Sequence, residues 1–218
     1  CDIKINYAYT TFVWNSESDN QAKVHCVIVG FSRVNNVKEK RLYDEGGSYI
    51  VCKNISPYLT DGENYFIETR STPLCEVPPM RFGSMPRDGG GFILTAEERK
   101  ELIKKEPLAE QWIRPYIGAT EFLNRKERYC LWLVGASPSE ILKCPTVKAR
   151  VEAIRDFRAS SKAAATRKFA ETPTLFCQIA QPDTDYIIVP ETSSGKRKYV
   201  PLGFMHKDII ASNLVFLI

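Results

Sequence analysis

The sequence predicts an α+β fold in which a helical block packs on a mostly antiparallel sheet, with an extra strand pair at the N-terminus. Three observations carry this. Short apolar and aromatic runs recur between Gly- and Pro-rich turns along much of the 218 residues. Helical periodicity and helix-start signals are concentrated in the middle, from about Thr95 to Ala170. The run Val24 to Phe31 is nearly all apolar, as in a strand buried on both faces.

The first element is Tyr7-Ala-Tyr-Thr-Thr-Phe-Val-Trp14, joined to Val24–Phe31 by the polar loop 15–22. A two-stranded unit is marginal alone, and a doubly buried strand needs neighbours on both sides. The chain therefore reads as a piece of a longer protein, starting where another domain finishes. Residues 36–80 read as a connecting β/loop segment, with strand candidates at Lys38–Tyr43, Ser48–Cys52 and Tyr65–Thr69. Gly46-Gly47, Pro57, Gly62, Pro73 and Pro78-Pro79 punctuate it.

Residues 81–218 form the third segment. Asp88-Gly-Gly-Gly91 leads into a short strand, Phe92–Leu94, and Thr95-Ala-Glu-Glu98 is a capping box opening a helix to about Lys105. A second helix covers Leu108–Ile113, and Arg128–Val134 is a strand. Ser137-Pro-Ser-Glu140 is another capping box, with Pro at the favoured first position. The longest helix runs from about Val147 to Arg158, continuing over Ser161–Ala170; Val147, Val151, Ile154 and Phe157 make its apolar stripe. Strands follow at Thr174–Ala180, Tyr186–Val189, Tyr199–Phe204 and Asn213–Ile218.

Bulk properties exclude several classes. The chain is 44% hydrophobic, so it is globular rather than disordered. No apolar run approaches the ~20 residues of a membrane span. Seven scattered cysteines and two histidines, without a Cys-x-x-Cys pair, give no metal-ligand spacing. That cysteine usage fits a reducing cytoplasm.

The catalytic inventory is thin. Pro78-Pro79 lacks the polar and aromatic neighbours of a base-gripping methyltransferase loop. Asp88-Gly-Gly-Gly91 is not followed by Lys-Ser/Thr, so the phosphate-binding P-loop fails. It reads as a turn entering a strand, or as backbone N–H groups and Arg87 touching DNA phosphate. Gly-x-Ser-x-Gly is absent. Asp183 and Asp185 read as a solvated turn rather than a metal or nuclease site. No residue is assigned a catalytic or metal-binding role.

Binding signals are stronger. Between Lys148 and Lys168 lie seven basic residues (Lys148, Arg150, Arg155, Arg158, Lys162, Arg167, Lys168) against Glu152 and Asp156. Most fall off the apolar stripe, as an exposed ridge or an ordinary solvated helix face. The centre, Ala159-Ser-Ser-Lys-Ala-Ala-Ala-Thr166, is small and polar, which lets a backbone approach a ligand. Ser193-Ser-Gly-Lys-Arg-Lys198 places three consecutive cations in a loop between two strands, suited to probing a DNA groove.

Motifs spread along the chain carry a family resemblance. They are Phe12-x-Trp14 with Lys23-Val-His-Cys-Val-Ile-Val-Gly-Phe31, then Asn54-Ile-Ser-Pro-Tyr-Leu59, then Met85-Pro-x-Asp-Gly-Gly90. Gly118-Ala-x-Glu-Phe122 runs into Arg128-Tyr-Cys-Leu-Trp-Leu133. Thr192-Ser-Ser194 precedes Lys198-Tyr-x-Pro-x-Gly-Phe204, and Ile210-Ala-Ser-Asn213 follows. In this order they resemble the MmeI-like (type IIL) restriction-modification enzymes.

The resemblance implies that residues 1–35 are the last strands of an α/β methyltransferase domain and that 81–218 are a target recognition domain. The implied parent is a site-specific DNA adenine-N6 methyltransferase using S-adenosylmethionine, fused to an endonuclease. No cofactor is expected within this fragment. The implied partners are double-stranded DNA and the upstream methyltransferase domain of the same chain, in the cytoplasm and with no membrane role. Gly195, Lys196 and Arg197 then take base-reading positions, as do Lys162 and Ala163 in a second reading segment. The family often carries an acidic residue directly after Ser-Ser; Gly195 stands there instead, which removes a carboxylate contact to cytosine. Arg87, Arg155, Arg158, Ser161, Thr166, Arg167, Lys168, Ser194 and Lys198 are expected on the DNA backbone. The competing readings are an enzyme domain for a small molecule, for which no polar cluster stands out, and a protein-interaction module anchored by Trp14, Trp112 and Trp132.

Overall fold

A computed structural model of the chain describes residues 3–14, 24–34, 37–195 and 197–218. The chain divides into two compact units, residues 1–75 and 76–218. Sheets dominate both, with a few helices in the second, as an α+β class requires.

The first unit is a four-stranded sheet of order β2-β1-β3-β4. β1 (Lys4–Trp14) pairs antiparallel with β2 (Val24–Ser32), setting Ala8 opposite Val29. β3 (Lys40–Tyr43) runs parallel to β1 on its other side, and β4 (Tyr49–Cys52) closes an antiparallel hairpin with β3. Its small core is Ala8, Leu42, Cys52 and Ile55. β3 and β4 thus share a sheet with β1, although the sequence placed them in a connecting segment. Tyr65–Thr69 is irregular rather than a strand.

β2 departs from the doubly buried strand the sequence describes. It is the edge of its sheet, and Val24, Val27, Ile28 and Phe31 are all exposed.

The second unit contains two further four-stranded sheets. One has the order β10-β9-β12-β5, from β5 (Arg81–Phe82), β9 (Tyr186–Pro190), β10 (Gly203–Met205) and β12 (Val215–Leu217). The other has the order β11-β7-β8-β6, from β6 (Ile93–Leu94), β7 (Ile113–Ile117), β8 (Tyr129–Leu131) and β11 (Ile210–Ala211). All pairings in these sheets are antiparallel except β7 with β11.

β7 escapes a pattern reading because Pro115 lies within it, and Pro has no N–H for a ladder. It is tolerated because β11 pairs only with Tyr116 and Ile117 on that side. Thr174–Ala180 forms no strand; Gln178 makes a single bridge to Met85. Tyr199–Phe204 shortens to β10, because Pro201 interrupts the ladder before it.

Of the helices, the first follows its local signal closely and the others depart from theirs in part. α1 (Ala96–Lys105) has the full capping box, with Thr95 Oγ1 accepting from Glu98 N and Glu98 Oε2 from Thr95 N. A 3₁₀ turn at Pro107–Trp112 replaces the second expected helix. α2 (Ala119–Asn124) was not anticipated. Its buried Glu121 accepts from Gly118 N at 2.9 Å and pairs with Arg128 at 3.0 Å. α3 (Pro138–Ile141) lacks a side-chain cap, since Ser137 Oγ pairs with Ser139 Oγ instead.

α4 (Pro145–Ala159) starts on a borrowed cap: Glu106 accepts from Thr146 N at 2.6 Å. Its Val147, Val151 and Ile154 enter the main core with Phe92, Leu94, Trp112 and Phe176. A second core of Tyr186, Ile188, Ala211, Val215 and Leu217 underlies the β9 sheet. No described helix is long and apolar enough to cross a membrane.

Candidate nucleic-acid interface

Two places in the second unit hold the expected binding residues. The first surrounds the end of α4 and the start of α5 (Ala164–Lys168). α4 and α5 are separated by a bend: α4 ends at Ala159 with Ser160 as its C-cap, and Ala163 turns extended ahead of α5. Arg167 braces this bend by donating from Nη1 to the carbonyls of Ser161 and Lys162, both at 2.9 Å. Ser161 Oγ accepts from Ala163 N at 3.3 Å. Lys162 and Ala163 are left at the exposed tip of the bend.

Arg158 was expected on DNA phosphate and is instead fully buried. Its five N–H groups meet five carbonyl oxygens, those of Pro86, Arg87, Phe169, Thr172 and Leu175, at 2.8–3.0 Å. A buried charge is tolerated only when hydrogen-bonded this fully. Burial pushes its pKa below the usual guanidinium range. Arg158 takes the stripe position assigned to Phe157, whose ring is half exposed and lies over Gly89 instead.

Thr166 is a second correction. It is buried, and its hydroxyl accepts from Arg87 Nη1 at 3.3 Å, so it does not face a ligand. Arg87 itself is exposed and adopts a left-handed φ of 42°, held there by the carbonyl grip of Arg158 on Pro86 and Arg87. Arg87, Ser161, Lys162, Ala163 and Arg167 are therefore brought together around one bend.

The other basic residues of the ridge separate by their partners. Arg150 is structural: it donates to Gly91 O at 3.1 Å and pairs with Glu98 at 3.1 Å. Lys148 pairs with Glu152 along the helix. Arg155, Lys162, Arg167 and Lys168 are exposed and form no ion pair among the described residues.

The Asp88-Gly-Gly-Gly91 turn is a structural one. Asp88 Oδ2 accepts from Phe92 N at 2.6 Å, and Gly91 N donates back to Asp88 O. A Cβ at Gly89 would meet the Phe157 ring at 2.8 Å, and one at Gly91 would meet Ile154. Phe157 and Ile154 thus pack against this turn, which accounts for its glycines at 89 and 91.

The second place is the loop between β9 and β10. Residues 191–195 and 197–200 are exposed, and Arg197 N donates to Ser194 O at 3.0 Å to close a turn. Gly195 has open space around it, Arg197 projects from the same turn, and Lys196 lies outside the described residues. Lys198 Nζ lies 5.4 Å from the Tyr199 ring centroid. Beyond it Val200 and Leu202 are exposed, a feature hidden when Tyr199–Phe204 is read as strand. Pro201 was the signal against that reading.

The structure removes other candidates. Trp112 is core and Trp132 packs against it, so neither is a surface anchor. Asp183 and Asp185 are exposed; Asp185 accepts from Lys207 N. No group of three metal-ligating side chains occurs among the described residues.

Comparison with known proteins gives the family of the chain. Residues 61–218 match the family model for the MmeI target recognition domain, and residues 1–44 match that for the MmeI DNA-methyltransferase domain. The chain is 38% identical over 216 residues to DNA methyltransferase A of Bacillus subtilis (strain 168), covering 99% of the chain. It spans 24% of that relative. A solved structure of the type IIL restriction-modification enzyme MmeI in complex with DNA matches with a TM-score of 0.87 and 43% identity. That match covers all of this chain and 30% of the MmeI chain. The chain therefore belongs to the MmeI target recognition domain family, and its residues 1–44 match the MmeI DNA-methyltransferase domain.

Proposed function

We propose that this chain reads DNA sequence for an adenine-N6 methyltransferase of which it is a part. The observation that supports it most is the set of exposed cations without ion pairs around the α4–α5 bend and on the loop before β10. Arg155, Lys162, Arg167, Lys168, Arg197 and Lys198 make no ion pair among the described residues. Such cations suit phosphates and guanine edges. In this reading Arg197, Gly195 and Lys196 meet bases from the late loop, and Lys162 and Ala163 meet them from the α4–α5 bend. Arg87, Arg155, Ser161, Arg167, Lys168, Ser194 and Lys198 hold the backbone.

The exposed apolar edge strand β2 supports a second part of the reading. Val24, Val27, Ile28 and Phe31 pack against the rest of a methyltransferase domain in the same protein. S-adenosylmethionine and the methyl transfer belong to that domain, and DNA cleavage belongs to an endonuclease elsewhere in the parent.

The test is a gel-shift series with the full-length protein on duplexes with and without the site it methylates. Arg197→Ala reduces the preference between the two if the reading holds. Unchanged preference in both Arg197→Ala and Lys162→Ala would refute it.

A further inference from the structure

We propose that Tyr199, with Val200 and Leu202 beside it, is an apolar wedge that enters duplex DNA at a base step next to the contacts of Arg197. The proposal rests on the DNA-reading role given above and adds to it a deformation of the duplex.

Tyr199, Val200 and Leu202 are 75%, 70% and 58% exposed. One exposed apolar side chain is ordinary, but three within four positions at a loop tip mark a contact surface. Together with Arg197, Lys198 and Pro201 they line one open hollow. The tip is also firmly mounted. Its far end joins β10, where Gly203 pairs with Ile188 and lies so close to Phe122 that a Cβ would approach the ring at 3.0 Å. Its near end is closed by the Ser194–Arg197 turn. Pro201 fixes one φ between them.

Charge identifies the occupant. From Thr192 to Leu202 the sequence has three cations and no acidic residue, and the Lys198 ammonium lies near the Tyr199 ring. A protein surface matching the apolar tip would leave those cations uncompensated. Duplex DNA offers phosphates for the cations and base faces for the ring. Apolar side chains that insert between base pairs unstack a step and kink the helix. An enzyme that must extrude a base for methylation works on a duplex already deformed, where such an insertion gains most.

The experiment uses the full-length protein and a 30-bp duplex containing the site it methylates in a plasmid. 2-Aminopurine replaces, one at a time, adenines other than the methylated one, and affinity is measured over a salt series. The unaltered protein should raise the fluorescence of one such probe. Tyr199→Ala should abolish that rise and weaken binding roughly ten-fold or more, without changing the slope of log affinity against log salt, because an apolar contact releases no counterions. Tyr199→Phe should keep both signals. If alanine impairs folding, Tyr199→Gln carries the same test. The wedge is overturned if Tyr199→Ala and Leu202→Ala bind within two-fold of the unaltered protein while Arg197→Ala loses site preference. It is equally overturned if Tyr199→Ala lowers only the melting temperature, since the tip then covers protein. If Arg197→Ala is also without effect, the DNA-reading role itself fails.

Discussion

Arg158 Nε donates to the carbonyl oxygen of Arg87 at 3.0 Å, tying α4 to a turn 71 positions earlier in the chain. The other four N–H groups of the guanidinium hold Pro86, Phe169, Thr172 and Leu175. This one side chain thereby sets where both Arg87 and the segment after α5 stand. Arg158→Met keeps much of the stem but removes the donor from five carbonyl acceptors, so it should cost about 3 kcal/mol or more in urea unfolding. Arg158→Lys should fall between, because an ammonium has three donors.

Gly89 and Gly195 make a matched pair. Gly89 has φ +61° and no room for a Cβ beneath Phe157, whereas Gly195 has nothing within 4 Å. Gly89→Ala should therefore destabilise by about 1–3 kcal/mol. Gly195→Ala should leave the melting temperature unchanged, with any effect confined to DNA preference.

The two kinds of exposed arginine should separate by salt. Arg155 lies on the helix face away from the core and is proposed to meet phosphate alone. Arg155→Ala should lower the slope of log affinity against log salt by about 0.9 and leave sequence preference intact. Arg197→Ala should change discrimination at one base pair by about 1–3 kcal/mol. Filter-binding titrations with single-base-pair variants of the site read both.

Tyr186 supplies a pH dependence. It is buried in the second core, its hydroxyl donates to Ile209 O at 2.6 Å, and burial pushes its pKa up to about 12. The folded state thus holds this proton more tightly than the unfolded chain, whose tyrosine titrates near ~10. The stabilisation is complete below pH ~10 and is lost as pH rises from there through about 12. Chemical unfolding at stepped pH should show stability falling over that window. Tyr186→Phe should lessen that fall without removing it, since burial also pushes the Tyr116 hydroxyl up, at a cost of about 1 kcal/mol near neutrality from the lost hydrogen bond.

Much of the local structure was legible in the sequence. Thr95 and Glu98 form the capping box their spacing announces, and Val147, Val151 and Ile154 form the stripe of α4. Strands β1 to β4 and β9 also lie where alternating or apolar runs put them. The loop before β10 was legible as an exposed basic feature, since Gly, Ser and consecutive cations seldom bury.

The sequence by itself determined these features because each depends on residues within a few positions of one another. Only the tertiary structure decided which cations are free. Arg150 and Arg158 look like their neighbours in the basic run, but their partners come from residues 86–98 and 169–175. Thr166 is withdrawn by Arg87 from 79 positions away. β7 likewise became a strand despite Pro115, because β8 folds back beside it and the short β11 arrives on its other side from a distant part of the chain. Whether a polar group faces solvent or satisfies buried carbonyls is settled by what the fold brings to it, and spacing along one helix carries no record of that.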